Sequence, residues 1–148
     1  MSSLRPERPF SLSPGGLASN GYNGHTFWDT ETWMYPPLLL WYPDFARSLL
    51  HYRQDRLSMA QHKAKTYSSP YEGAMYPWES AKSGAETCPN WATMGLYEQH
   101  ISADISFAIR QYLYMTGEEA IAWLKDGGIL VVTGIADFWV SRVTQDAK

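Results

Sequence analysis

Two short segments of the chain combine large aromatic rings with carboxylates, a mixture suited to binding sugars. The first is HTFWDTETW at residues 25–33, which holds Trp28 and Asp29, and the second is YPWES at residues 76–80, which holds Trp78 and Glu79. An aromatic ring can cover the apolar face of a pyranose, and a carboxylate accepts its hydroxyls. Aromatic residues make up 15% of the chain, more than a core of this size requires. Aromatic packing in the core is the alternative interpretation.

Six carboxylates lie in or beside the aromatic segments: Asp29, Glu31, Glu72, Glu79, Glu86 and Glu98. Paired carboxylates flanked by aromatic side chains are the usual equipment for breaking a glycosidic bond. For each carboxylate taken alone, helix capping or a solvated position is the competing interpretation.

Other kinds of site find little support in the sequence. The four histidines, His25, His51, His62 and His100, do not have HxxxH or HExxH spacing, so we predict no metal site. Cys88 has no partner for a disulfide or a CxxC pair, and we expect it to be a small apolar residue in a loop. Neither glycine-rich nucleotide motif is present, and no cofactor is predicted.

Charge and hydropathy indicate which classes of binding partner to expect. The net charge of the 148 residues is −3, and no run of basic residues could follow a phosphate backbone or an anionic membrane. No stretch resembles a signal peptide or a membrane span. We therefore expect no nucleic acid or membrane partner and a cytoplasmic location.

The pattern of apolar residues predicts helices separated by loops. Residues 1–24 are rich in glycine and proline and are expected to be irregular. A helical pattern starts at Thr32 and runs to about Lys65. Pro36 and Pro37 should interrupt whatever precedes them, and Pro43 suits the first turn of a new helix. A second irregular stretch extends from Ser68 to about Ala92.

Two further helices are predicted in the C-terminal third of the chain. Ile101, Ile105, Ala108, Tyr112 and Met115 have helical spacing, and Gly117 is placed to cap that helix. Residues 118–143 should form the next helical segment, broken at Gly127 and Gly128. Within it, one apolar stripe has helical spacing: Val132, Ala136, Trp139 and Val143. The β-branched run at residues 129–135 could pass for a strand but has no partner strand, so we expect a helix.

Read together, GHTFWDTE, YPWES and the helix that begins YEQH resemble successive segments of glycoside hydrolase family 65. That family holds inverting α-glucoside phosphorylases and protein-glucosylgalactosylhydroxylysine glucosidases, and the likeness runs from about Ser11 to Val143. SPGGLASNGYNGHTFWD resembles the hydrolase branch more closely. The resemblance implies an all-α fold, about half of an (α/α)6 toroid with long active-site loops, in which residues 1–24 form a loop segment and residues 25–148 the partial catalytic domain.

The resemblance also assigns roles to four residues. Trp28 and Asp29 match residues that bind the sugar on the non-reducing side of the cleaved bond, and Trp78 and Glu79 match residues lining the same pocket. Family members carry the general acid in a Gly-Pro-x-Glu-Tyr segment further along, and this chain has no Glu-Tyr dipeptide. The resemblance thus implies a piece of a catalytic domain without its proton donor or base, so no residue here is predicted to be catalytic.

Three functions follow as hypotheses. The first is part of an inverting α-glucosidase acting on glucosyl-galactosyl-hydroxylysine-type α-glucosides. The second is part of a disaccharide phosphorylase of the maltose, trehalose or kojibiose type, and the third is a non-catalytic carbohydrate-binding remnant.

Overall fold

Helices joined by long loops make up the described part of the chain. A computed structural model describes residues 4–6, 8, 10–16 and 21–143. Across these ranges, extended segments pair through isolated bridges rather than strands, whereas seven α-helices follow one another along the chain. The all-α class predicted from the sequence is confirmed.

The first helical region is divided by its prolines. A π-helical turn at Thr30–Met34 leads into α1 (Tyr35–Trp41), followed by α2 (Pro43–Gln54) and α3 (Leu57–Thr66). Pro43 begins α2, as predicted. The π-helical turn before Pro36 and Pro37 ends at Met34, as expected, and the two prolines occupy the first turn of α1, where a missing N–H removes no intrahelical hydrogen bond.

The second helical region follows a long irregular stretch. Residues 68–93 contain no helix, and α4 (Met94–Tyr97), α5 (Ile101–Thr116), α6 (Glu118–Trp123) and α7 (Ile129–Arg142) come after it. Gly117 ends α5 with φ +55°. Residues 124–128 form a kinked turn in which Gly127 has φ +104°, so the predicted break lies where the glycines are. Residues 129–135 are helical, as expected.

Helix α5 is central to the packing. It contacts α1, α2, α6 and α7, and its Ile101, Ile105, Ala108 and Tyr112 are buried in one apolar cluster that includes Leu49 and Leu50 of α2. Met115 was expected on the same stripe but lies in the last turn of α5 and is 58% exposed. The buried face therefore ends at Tyr112.

Helix α7 buries a different stripe from the predicted one. Val131, Gly134, Ile135 and Phe138 are buried, whereas Ala136 is exposed and Val143 is 61% exposed. Gly134 sets this face because its carbonyl accepts a 2.7 Å hydrogen bond from the backbone N–H of Ala74. A Cβ at Gly134 would be 3.1 Å from that of Ala74, so the small residue permits the approach.

The described residues before His25 contain no helix but reach the core. Leu4 and Leu12 are buried in the main apolar cluster, and the carbonyl of Leu12 accepts a 3.1 Å hydrogen bond from Thr30 Oγ1. Among the helices of the described residues, none has the length and apolar character needed to cross a membrane.

Candidate functional site

A short antiparallel bridge brings the two aromatic segments together. Thr26 and Ser80 exchange both backbone hydrogen bonds, at 2.8 and 3.0 Å, and both residues are buried. Trp28 and Asp29 follow one end of this bridge, and Trp78 and Glu79 immediately precede the other. The four site residues predicted from the sequence thus belong to adjoining loops, although 50 positions separate Trp28 from Trp78 in the chain.

Three tryptophan rings cluster at this junction. The ring centroid of Trp28 lies 6.4 Å from that of Trp78 and 6.1 Å from that of Trp33. Phe27 meets Trp78 edge-on at 6.4 Å. Trp28 and Trp78 are both partly exposed. They present ring surface to solvent while packing against the core, the arrangement a sugar-binding platform needs.

Asp29 precedes the π-helical turn at Thr30–Met34 but does not cap it. Its backbone is itself helical, with φ −52° and ψ −33°, and its side chain makes no capping hydrogen bond. Among the described residues, no hydrogen bond or ion pair engages the half-buried Asp29 carboxylate. Its acceptor oxygens are therefore available to a ligand next to the Trp28 ring.

Glu79 is held on one side by a histidine. Its Oε1 lies 2.6 Å from Nδ1 of His25, and the residue is 7% exposed. Because a carboxylate only accepts hydrogen bonds, Nδ1 of His25 carries the proton in this pair. Among the described residues, the other carboxylate oxygen accepts no hydrogen bond, so Glu79 retains accepting capacity.

Glu86 accepts hydrogen bonds from the backbone of the second loop, the irregular stretch at residues 68–93. Its Oε2 accepts from the N–H of Trp78 at 2.9 Å and from Lys63 Nζ at 2.6 Å, and its Oε1 accepts from the N–H groups of Glu79 at 2.9 Å and Cys88 at 3.2 Å. By holding these backbone N–H groups, the carboxylate fixes the directions in which the side chains of Trp78 and Glu79 project from the backbone. Of the six candidate carboxylates, Glu86 therefore has a structural role.

Side chains and backbone of helix α2 contact both loops, the one that holds residues 25–33 and the one that holds residues 76–80. Arg53 forms a fully buried ion pair with Glu31, and Tyr52 Oη donates to the carbonyl of Ala81 at 2.9 Å. Tyr76 Oη donates to the carbonyl of Arg53 at 3.0 Å. Burial lowers the pKa of the Arg53 guanidinium, but the Glu31 carboxylate outweighs this effect and leaves the pKa raised. Glu31 is thereby committed to structure rather than to a ligand.

His100 is a site residue that the sequence reasoning missed. Its ring contacts those of Trp28 and Trp78, and its Nδ1 lies 2.5 Å from Oδ2 of Asp104. Burial raises the pKa of Asp104, and the hydrogen bond from His100 opposes that rise. The i,i+4 spacing of His100 and Asp104 at the start of a helix that follows an aromatic loop is the signal that could have revealed the pair.

The two remaining candidate carboxylates, Glu72 and Glu98, are both exposed. Glu98 ends α4, its backbone N–H donating to the carbonyl of Met94 at 3.0 Å, and its Oε2 lies 3.6 Å from His100 Nε2. Burial raises the pKa of the Cys88 thiol. Within residues 4–6, 8, 10–16 and 21–143, no three His, Cys, Asp or Glu side chains could together hold a metal ion.

Helices joined by loops that carry aromatic and acidic side chains form part of an (α/α)6 toroid. The fold matches the solved structure of a candidate kojibiose phosphorylase from the human microbiome with a TM-score of 0.85 at 26% identity, over 97% of this chain and 19% of that one. Residues 2–148 match the model of the glycosyl hydrolase family 65 central catalytic domain. The chain belongs to this family.

Curated relatives include hydrolases and phosphorylases. The chain is 55% identical to a protein-glucosylgalactosylhydroxylysine glucosidase of Dictyostelium discoideum, over 98% of this chain and 20% of that protein. It is 47% identical to a kojibiose hydrolase of Flavobacterium johnsoniae, over 97% and 21%, and 39% identical to a kojibiose phosphorylase of Halothermothrix orenii, over 90% and 18%. The chain thus spans about one fifth of the length of these relatives.

Proposed function

We propose that residues 25–33 and 76–80 bind the glucose unit on the non-reducing side of an α-glucosidic bond. The observation that carries this proposal is the pair of partly exposed rings, Trp28 and Trp78, beside the unengaged carboxylate of Asp29. The rings would cover the apolar face of the pyranose. Asp29 and the remaining acceptor of Glu79 would take its hydroxyls through charge-assisted hydrogen bonds.

The whole protein's activity is proposed to be that of an inverting α-glucosidase. The name of the Dictyostelium relative, at 55% identity, favours α-glucosides of the glucosyl-galactosyl-hydroxylysine type as substrates. In this proposal residues 25–148 are a partial (α/α)6 catalytic domain and residues 1–24 a loop segment attached to it. The cytoplasmic location expected from the sequence stays a prediction.

The four sugar-binding residues bind and orient the substrate rather than transfer protons. An inverting mechanism needs a carboxylic acid to protonate the leaving oxygen and a carboxylate, about 6.5–9.5 Å away, to activate water. The Glu-Tyr dipeptide that marks the acid in the resemblance is absent here. We therefore assign both proton-transfer roles to residues outside this chain.

A disaccharide phosphorylase is the second candidate. It is favoured by the 39% identity to a kojibiose phosphorylase and by the structural likeness to a candidate one. Phosphate dependence of α-glucoside cleavage, measured in a protein that carries the whole catalytic domain, separates the two candidates. A non-catalytic carbohydrate-binding remnant would bind glucosides without either reaction.

The binding role can be tested on the chain itself by titrating tryptophan fluorescence with methyl α-D-glucopyranoside. We expect a saturable change that is lost in Trp28→Phe and kept in Trp41→Phe, since Trp41 is 72% exposed and belongs to none of the ring contacts above. Methyl β-D-glucopyranoside is the stereochemical control and should bind more weakly. Equal responses to both anomers, or a response that survives Trp28→Phe unchanged, would remove the support for a specific α-glucoside site.

A further inference from the structure

The imidazole of His100 completes the aromatic cluster at the proposed sugar site. Its ring centroid lies 5.3 Å from that of Trp28 and 6.0 Å from that of Trp78, and it stands nearly perpendicular to both, at 79° and 83°. Its side chain is 39% exposed. His100 thus contacts both platform residues and keeps part of its surface open to a ligand.

Asp104 fixes the orientation and the tautomer of this imidazole. Its Oδ2 lies 2.5 Å from His100 Nδ1 and can only accept, so Nδ1 carries a proton. In the neutral ring the lone pair is then on Nε2. His100 is the N-cap residue of α5, and Asp104, in the first turn of this 16-residue helix, also donates its backbone N–H to the His100 carbonyl at 3.0 Å. The imidazole is therefore anchored to the start of a helix through both its ring and its backbone.

A second acceptor lies beside Nε2. Glu98 Oε2 is 3.6 Å from His100 Nε2, too far for a good hydrogen bond, and its side chain is 49% exposed. Among the described residues, no other contact of either atom is recorded. Two acceptors side by side at this spacing suit two adjacent hydroxyls of one sugar ring, each donating to one acceptor.

We propose that His100 and Glu98 are further sugar-binding residues, with Nε2 of His100 and the Glu98 carboxylate accepting neighbouring hydroxyls of the glucose unit held against Trp28 and Trp78. Asp104 is the positioning residue that aims Nε2. The inference rests on the proposed function and deepens it. It adds a specificity element, because a glucoside epimeric at either of these hydroxyls would leave one acceptor without a donor.

Two isosteric substitutions separate a binding role of Nε2 from a structural role of the ring. In His100→Asn the side-chain amide can replace Nδ1–H toward Asp104, but nothing replaces Nε2. In His100→Gln the longer side chain can place an acceptor near Nε2 but loses the bond to Asp104. A sugar-binding role predicts that His100→Asn weakens binding of methyl α-D-glucopyranoside about fivefold and that His100→Gln retains most of the affinity. A structural role predicts the opposite order.

The experiment is a titration of the full 148-residue chain, followed by the indole signals of Trp28 and Trp78 in NMR spectra. Glu98→Gln should weaken binding about tenfold, since it removes a charged acceptor. His62→Asn is the matched control, because His62 is exposed on α3 and its side chain makes no recorded hydrogen bond.

The outcomes distinguish the two proposals. If the indole signals respond to the glucoside and Asp29→Asn weakens binding, but His100→Asn binds like the unmodified chain or better than His100→Gln, the inference about His100 is wrong and the proposed function stands. If the indole signals do not respond to the glucoside, both are overturned.

Discussion

Arg53 donates two hydrogen bonds to Glu31, from Nε to Oε1 at 2.7 Å and from Nη2 to Oε2 at 2.9 Å, and both side chains are 2% exposed. The pair joins α2 to the turn that follows Asp29. Because two parallel hydrogen bonds leave little freedom of rotation, the pair fixes how Trp28 and Asp29 face the second loop.

Breaking this pair should strongly destabilise the fold. Arg53→Met leaves the Glu31 carboxylate buried without a partner, so we expect a loss of about 3–5 kcal/mol in the free energy of unfolding. The double variant Glu31→Leu, Arg53→Met should lose less than Arg53→Met alone, since no charge stays buried. Urea unfolding measures both. Equal losses of unfolding free energy in the single and double variants would mean that the buried Glu31 carboxylate costs nothing when Arg53 is absent, and would contradict this account.

Glu86 should control the order of the second loop. In Glu86→Gln one of the two acceptor oxygens becomes a donor, so either the amide of Trp78 or the amides of Glu79 and Cys88 lose their acceptor. We expect their hydrogen-exchange protection to fall by a factor of about 10–100. Lys63→Met is the control: it removes a cation from the same carboxylate, and with it a 3.3 Å hydrogen bond to the carbonyl of Gly95, but leaves the acceptors of the Trp78, Glu79 and Cys88 amides in place, so protection at Trp78 should persist. Unchanged exchange in Glu86→Gln would contradict the role of Glu86 as the organiser of this loop.

A matched pair of glycines tests how the second loop is attached to α7. At Gly73 φ is +66°, and a Cβ would lie 2.2 Å from the carbonyl oxygen of Gly134 and 2.4 Å from the backbone nitrogen of Phe138. At Gly117 φ is +55°, but a Cβ would meet nothing within 4 Å. Gly117→Ala should therefore cost about 1 kcal/mol, from the backbone alone, and Gly73→Ala several times more. Thermal melts of the two variants make the comparison, and similar losses would exclude a close contact at Gly73.

We expect the 148-residue chain on its own to hydrolyse no α-glucoside above background. A positioned proton donor or acceptor contributes on the order of 10² to 10⁴ in rate, and we assign both to residues outside this chain. Glucose release from methyl α-D-glucopyranoside or kojibiose is the assay. Release that persists in Glu79→Gln and Glu98→Gln variants would mean that catalysis uses groups we have not assigned.

The helices could be predicted from the sequence because the residues that begin and end them act locally. Pro43 begins α2, Gly117 ends α5, and Gly127 breaks the last helical segment, each through the backbone geometry of that one residue. The buried face of α7 could not be predicted in the same way. That helix is apolar on several sides, and its face is chosen by Gly134, which allows the loop at Ala74 to approach.

The candidate site could be predicted only where its motifs are contiguous in the chain. The likeness of two short segments to a known family pointed to Trp28, Asp29, Trp78 and Glu79. The residues that hold those segments were not predictable, because their partners are distant. Arg53 is 22 positions from Glu31, and His25 is 54 positions from Glu79. Such pairs depend on how the helices pack, which apolar spacing alone does not specify.

The most direct measurement is the affinity of Asp29→Asn for methyl α-D-glucopyranoside, taken together with its melting temperature. The substitution keeps the shape of the side chain but turns one acceptor oxygen into a donor. If Asp29 binds the sugar, affinity should fall about tenfold or more, and the melting temperature should stay within about 1 °C, because the side chain caps no helix. A melting temperature lowered by about 3 °C, with affinity within about twofold of the unmodified chain, would identify Asp29 as a helix cap and contradict the sugar-binding site.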